Sequence, residues 1–326
     1  MVDSPVQPTP RGEPRAERPL VGYALVWSAV GLWSLNATVS KVILESAGLS
    51  ALRLSEVRAT GAAVLLVGAV AIWRPASLRI RSLRELAFLA VFGIAGLAFV
   101  QLFYFVAIQR LEIGIALVIQ YLTPVFVALW ARFVEHEPVR RRLWGAIALA
   151  LAGLSLVVDL WGGMTLDGLG VAACLAAALA YAGYVLMAER ALAGGRDQYS
   201  LLAWGFAFAA LFWAVVQPWW SFPLGSVDGS APLLGRLADV ELPVSVLLGY
   251  VVVLGTVVPF VLLVTALHSI RATRVTVLAM LEPVLAALVA FAWLGEELTT
   301  LQALGCLLVL AGVGIAQTAR PRYADS

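Results

Sequence analysis

The chain has 326 residues, of which 62% are hydrophobic and only 13% charged, and its formal net charge is +2. Soluble domains carry roughly 25% charged residues, so a chain this apolar must face lipid or its own helices, and a soluble fold is excluded. The basic residues are dispersed rather than gathered into a stripe, which argues against nucleic acid as a partner.

Residues 1–19 hold five prolines among mixed charges. Such a segment cannot bury enough apolar surface to fold, and a disordered tail is expected. The run that follows lacks the short apolar core and small-residue cleavage site of an export signal. Ten membrane-length runs are then predicted, at 20–40, 54–73, 86–108, 113–134, 143–160, 167–188, 200–219, 244–268, 274–294 and 301–318. An even number puts both termini on one side. Connections after the second, fourth, sixth and eighth runs, with the two tails, hold 16 of the Lys and Arg residues, against 4 (Lys41, Arg53, Arg110, Arg236) in the opposite connections. By the positive-inside rule both termini are cytoplasmic, with the chain in a bacterial inner (plasma) membrane. The longest external connection, 218–243, opens PWWSFP; it is expected to be a polar loop with tryptophans at the interface, a docked loop being the alternative.

Residues 274–294, RVTVLAMLEPVLAALVAFAWL, carry Glu282 and Pro283 near the middle of a membrane-length run. A charge at that depth is costly and faces a bundle interior or a water-filled cavity. The run IALVIQYLTPVFVALWARFV has Pro124 in the matching place, 283 − 124 = 159 residues earlier, with Thr123 where Glu282 sits. The same shift aligns Gly96 with Gly255, Ala107 with Ala266, Glu137 with Glu296, and Leu151-Ala152-Gly153 with Leu310-Ala311-Gly312. The first run aligns with the sixth at 184 − 36 = 148 residues, putting Trp33 on Tyr181, Asn36 on Tyr184 and Lys41 on Glu189. The expected fold is therefore all-α and polytopic: ten transmembrane helices as two five-helix repeats, 20–160 and 161–319, with cytoplasmic tails 1–19 and 320–326. Five is odd, so the second copy enters the membrane from the opposite face, and the repeats are inverted. Inverted repeats recur in secondary transporters, with the substrate site at mid-depth between the halves.

Within the runs, Trp33, Asn36, Gln101, Tyr104, Gln120, Tyr121 and Thr123 in the first half, and Tyr181, Tyr184, Trp204 and Thr256 in the second, are polar or amphipathic. Side-chain amides and hydroxyls in hydrocarbon need partners, so each is either glue between helices or part of a substrate site. All but Trp204 are taken as substrate-binding candidates. Glu282 lies roughly 12 Å from the cytoplasmic start of its helix at 1.5 Å per residue, and is the proton-coupling candidate: neutral when occluded, ionised when water reaches it. The competing reading is a carboxylate that caps a backbone group freed by Pro283. Pro124, Pro259 and Pro283 are the expected hinges, since proline removes a backbone donor. Arg58 could attract a substrate carboxylate, but the favoured reading is that Glu56 and Arg58 snorkel outward or pair at the interface. His136 and His268 fall at cytoplasmic edges.

The runs YFVAIQRLEIGIALVIQYLTPVFVALW and LVTALHSIRATRVTVLAMLEPVLAALVAFAWLGEEL each precede a short polar turn and a helix rich in small residues. They resemble the EamA-type repeat of the drug/metabolite transporter superfamily, over residues 20–318. The second copy matches best; the first departs with Thr123 before its proline and Glu135-His136-Glu137 in place of Leu-Gly-Glu. The resemblance implies a ten-helix carrier, commonly an exporter of amino acids or other small metabolites. Alternatives are drug or nucleoside efflux, metabolite uptake on the same fold, and, in another class, a passive channel or structural membrane protein. An enzyme is not expected: no G-x-S-x-G, H-E-x-x-H or phosphate-binding Gly-rich loop is present. No cofactor or metal is expected, as Cys174 and Cys306 sit alone in apolar runs and pack as small hydrophobes. The partners expected are a small-molecule substrate and the lipid bilayer, and the small-residue helices leave a homodimer open.

Overall fold

The computed structural model describes residues 19–111, 113–136, 139–158, 167–295 and 299–318. Among these residues eight helices are long and apolar enough to cross a membrane: Pro19–Ser46, Ala51–Trp73, Leu83–Ile108, Ile115–Phe133, Gly168–Ala193, Gln198–Val216, Val244–Ala266 and Ala272–Leu294. Two further helices are Arg141–Val157 and Thr300–Thr318. In chain order the ten are labelled α1 to α10, with Arg141–Val157 as α5 and Thr300–Thr318 as α10. The chain is thus a mostly helical polytopic membrane protein. A two-stranded antiparallel ribbon, β1 (Ser230–Pro232) and β2 (Glu241–Pro243), lies in the loop before α8. The tail expected at 1–19, apart from Pro19, the Glu137 and Glu296 pair of the repeat, and the tail at 320–326 lie outside the described residues.

Helix ends depart from the apolar runs. Expected to stop near 40 and 188, α1 continues to Ser46 and α6 to Ala193. Apolar content marks the part of a helix that lies in hydrocarbon, whereas the backbone hydrogen bonds continue into the interface as long as each carbonyl finds a donor. Local capping fixes several starts. Ser50 accepts from the Arg53 amide, Ser82 from Glu85, Asp167 from Gly170 and Asp197 from Ser200, so each side chain satisfies an orphan donor of the first turn.

Four of the long helices are locally unwound. Ile94–Ala98 in α3 and Val253–Val257 in α8 are π-turns, and another, Ala290–Leu294, ends α9. Between Gln120 and Thr123 in α4, and between Ala279 and Glu282 in α9, the α-helical ladder breaks just ahead of a proline. Pro124 cannot donate to the carbonyl four residues back, and the Thr123 hydroxyl takes that Gln120 carbonyl instead at 2.8 Å. In α9 the Glu282 carbonyl accepts from Ser34 of α1 at 3.0 Å. In α4 proline thus supplies the break, and the Thr123 hydroxyl takes the carbonyl it frees, which makes the break tolerable in a low-dielectric interior.

Packing crosses between the two halves of the chain. α1 packs chiefly on α8 and α9, and α6 on α3 and α4, while α2 lies along α7 and α5 along α10. The α5–α10 pair touches at glycine: a Cβ on Gly153 would stand 2.7 Å from the Gly305 carbonyl oxygen, and one on Gly312 would stand 2.7 Å from that of Ala146. Small residues here let two backbones approach, the main route to helix association where lipid removes the hydrophobic drive. Cys174 and Cys306 are buried, and the Cys174 thiol donates to the Ala116 carbonyl in the α4–α6 contact.

The loop over 218–243 is docked, contrary to the reading favoured from sequence. Arg53 of α2 donates to the carbonyls of Pro218 and Ser221 at 3.2 and 3.0 Å and to the Ser221 hydroxyl at 2.7 Å, and its other partner is Glu56 at 2.7 Å. Farther along, the Trp293 indole donates to the Leu233 carbonyl at 2.8 Å. Gly235 has φ 55°, and a Cβ there would meet the Leu294 backbone at 2.4 Å, so both its conformation and its close approach call for glycine. Trp220 alone of the loop's tryptophans is nearly fully exposed, as a membrane-interface anchor would be. Because the Glu56 side chain is wholly buried, Arg53→Ala strands a carboxylate, at a cost of about 3–5 kcal/mol. The expected outcome is a lower melting temperature and several-fold faster proteolysis within 218–243, read by limited digestion in detergent.

Candidate functional site

Polar side chains from seven helices converge where the unwound segments meet. On α9, the Glu282 carboxylate accepts a hydrogen bond from the Tyr121 hydroxyl of α4 at 3.1 Å. Those two residues stand at the two proline breaks, so the unwinding that follows from Pro124 and Pro283 also brings them face to face. Tyr104 of α3, Tyr181 of α6 and Arg58 of α2 lie within electrostatic range of the same carboxylate. The rings of Tyr181 and Tyr184 stack at 5.9 Å, and Phe260 of α8 packs edge-on to both Tyr184 and Trp33 of α1, at 5.7 and 5.3 Å. Glu282, Tyr121, Tyr181, Tyr104 and Arg58 are only partly covered, while Trp33, Asn36, Tyr184 and Thr256 are buried around them. The result is a polar recess with aromatic walls.

Arg58 enters through α8. Its Nε donates to the Thr256 hydroxyl at 3.0 Å, and an Nη reaches the Gly255 carbonyl at 3.5 Å, the outer limit of a hydrogen bond. Pro259 explains why that carbonyl is available, since it is the residue that would have donated to it in a regular helix. The Thr256 hydroxyl in turn donates to Val251 at 2.8 Å inside the π-turn. Asn36 of α1 presses against Gly255, where a Cβ would come within 2.0 Å of its Oδ1. Neither Asn36 Oδ1, nor Gln101 Oε1, nor the Tyr184 hydroxyl has a hydrogen-bond partner among the described residues.

The remaining candidates are placed differently. The Thr123 hydroxyl is occupied by the carbonyls of Gln120 and Ala178, which makes it a clasp between α4 and α6. Gln120 takes part through its carbonyl. Trp204 donates to the Leu78 carbonyl near the end of α2, away from the recess. Pro124, Pro259 and Pro283 are buried at the breaks described. His136 and His268 are exposed at helix ends. The favoured interfacial pair of Glu56 with Arg58 does not form: Glu56 pairs with Arg53, and Arg58 points inward. Sequence reasoning weighed Arg58 and passed it over; the signal that could have found it is a second arginine one turn before, at a spacing that already satisfies Glu56. A separate apolar groove of about 270 Å³, lined by Phe126, Trp130, Leu186 and Met187, lies between α4 and α6 and holds none of the recess residues.

A mostly helical bundle whose membrane-length helices break around charged and aromatic side chains has the form of a polytopic membrane protein. The chain belongs to the EamA-like transporter family, whose family model matches residues 20–159 and 168–317. It is 29% identical over 281 residues to the threonine/homoserine exporter RhtA of Salmonella typhimurium, covering 85% of this chain and 84% of that protein. An uncharacterised transporter of Archaeoglobus fulgidus is 31% identical over 240 residues, with 72% of this chain and 76% of the relative covered. One solved crystal structure superposes with a TM-score of 0.73 at 18% identity, over 91% of this chain and 96% of that one, a likeness of fold alone. The protein is a membrane transporter.

Proposed function

We propose that the chain is a secondary-active exporter of a small metabolite such as an amino acid, working by alternating access around the recess. The observation that carries this reading is the Tyr121–Glu282 contact, which joins the two proline breaks from opposite halves of the chain over an ionisable group. The name of the relative RhtA supports export and amino acids as the substrate class.

Two inverted five-helix halves, 20–160 and 161–319, are supported by contacts that exchange between them. The π-turns Ile94–Ala98 and Val253–Val257 differ by the repeat shift, 253 − 94 = 159. Gly96 meets Tyr184 of α6, and its counterpart Gly255 meets Asn36, the counterpart of Tyr184. Gly153 on Gly305 maps likewise onto Gly312 on Ala146. Each pair is what a two-fold axis in the membrane plane generates. This symmetry and the arginine distribution support a reading of ten transmembrane helices with both termini cytoplasmic. Rocking at Pro124, Pro259 and Pro283 would open the recess to one side and then the other, with Glu282 carrying the proton, and a homodimer is compatible with the small-residue faces.

Counterflow in liposomes with purified protein tests the reading. Saturable exchange of one metabolite class is expected, accelerated by an imposed pH gradient. No exchange across labelled amino acids, nucleosides and cationic drugs would overturn it.

A further inference from the structure

Arg58 is a cation inside a membrane span with no carboxylate within 4.0 Å among the described residues. Charged side chains at that depth pair with one another or with backbone carbonyls, or they serve a pathway. Here the acid that would pair is withdrawn: Glu56, two residues earlier, is held by Arg53. Arg58 instead spends its Nε on Thr256 and one Nη, weakly, on Gly255. These contacts aim the guanidinium without neutralising it. Among the described residues no other acceptor takes the remaining Nη donors, and a guanidinium presents them as a planar fork that matches a carboxylate. The residue is only partly covered. Glu282 lies close enough to feel its charge yet beyond ion-pair distance. Tyr104, Tyr121 and Tyr181 are the other titratable groups facing Glu282.

We propose that Arg58 anchors the carboxylate of the substrate, whose ammonium end then points toward Glu282 and the tyrosine faces, so that the recess selects zwitterions by their dipole. A solute with charges of both signs fits the opposed poles on α2 and α9, and a simple amine lacks the group that Arg58 holds. This deepens the exporter reading and rests on it. Asn36 Oδ1 and the Tyr184 hydroxyl, both buried and without a hydrogen-bond partner among the described residues, supply further polar contacts beside the anchor.

The test compares counterflow of a neutral L-amino acid with that of its carboxamide, which keeps the ammonium and lacks the carboxylate. Wild type is expected to prefer the acid. In Arg58→Gln the KM for the acid should rise about tenfold or more while the carboxamide changes little, so that the preference collapses, with Arg58→Lys intermediate because a point charge lacks the fork. Equal losses for both compounds would make Arg58 a structural residue or a counter-ion of Glu282, overturning the anchor and leaving the carrier intact. A wild type that exchanges no labelled amino acid and no amide overturns the anchor, and the exporter reading falls with it only if nucleosides and cationic drugs are not exchanged either. Should Arg58→Gln fail to accumulate, Thr256→Val removes the acceptor that aims the guanidinium. About a threefold loss confined to the acid is then expected, and no change in the acid-to-amide ratio overturns the proposal.

Discussion

Glu282→Gln is expected to abolish the pH dependence of exchange and to slow it by about tenfold or more, since hydrogen bonds to charged groups contribute about 1.5–3 kcal/mol. The glutamine keeps the size of the side chain and its ability to accept from Tyr121, so the break in α9 stays filled. What it loses is the capacity to take up and release a proton. Counterflow at a series of external pH values distinguishes the roles: a flat profile at reduced rate is the expected result, and an unchanged profile at normal rate would remove Glu282 from coupling. Tyr121→Phe separates the two contributions further, as it deletes the donor and leaves the carboxylate. It should slow exchange and retain the pH dependence.

Gly153→Val is expected to do the largest damage to the fold. Its new Cβ would stand 2.7 Å from both the Gly305 carbonyl oxygen and the Val309 amide nitrogen, and both obstacles are backbone. No rotamer relieves such a clash, so α5 and α10 must separate. Overpacking costs about 1–3 kcal/mol even where side chains can yield, and a fall in melting temperature of roughly 5–10 °C is expected, followed by thermal unfolding in detergent. Gly145, two turns away on the same helix, has nothing within 4 Å of a Cβ and is exposed. Gly145→Ala should leave stability unchanged or raise it by about 0.5–1 kcal/mol, as alanine restricts the unfolded chain. A matching loss at both positions would show that the α5–α10 contact is not responsible, since helix propensity favours either replacement over glycine.

Much of the bundle is legible in the sequence because hydrocarbon imposes a simple rule on it. A span must be apolar for about 20 residues, and every backbone group must be satisfied within the helix or by a neighbour, so runs of hydrophobic residues mark where helices can cross. The same rule makes exceptions informative. Glu282 and the prolines at 124, 259 and 283 are visible as breaches of it, and the helices are unwound just ahead of each of those prolines. Membrane-length segments and breaks were thus determined by residues close together in the chain.

Long-range pairing decided the rest. Arg53 and Arg58 both look like interfacial arginines near Glu56, and nothing local says which one takes the acid. The structure gives Glu56 to Arg53 because the docked loop supplies Arg53 with two carbonyls and a hydroxyl from residues more than 160 positions away. Arg58 is thereby left to Thr256, 198 residues distant. Thr123 has the same history in reverse: it reads as a site residue, and the Ala178 carbonyl of α6 claims its hydroxyl. Composition and spacing determine which side chains lie at mid-depth, since burial of charge and polarity there is costly whatever the neighbours. Which of them face one another, and which are consumed as glue, depends on helices that meet only when the chain has folded, because a hydrogen bond is satisfied by the nearest donor in space and not in sequence.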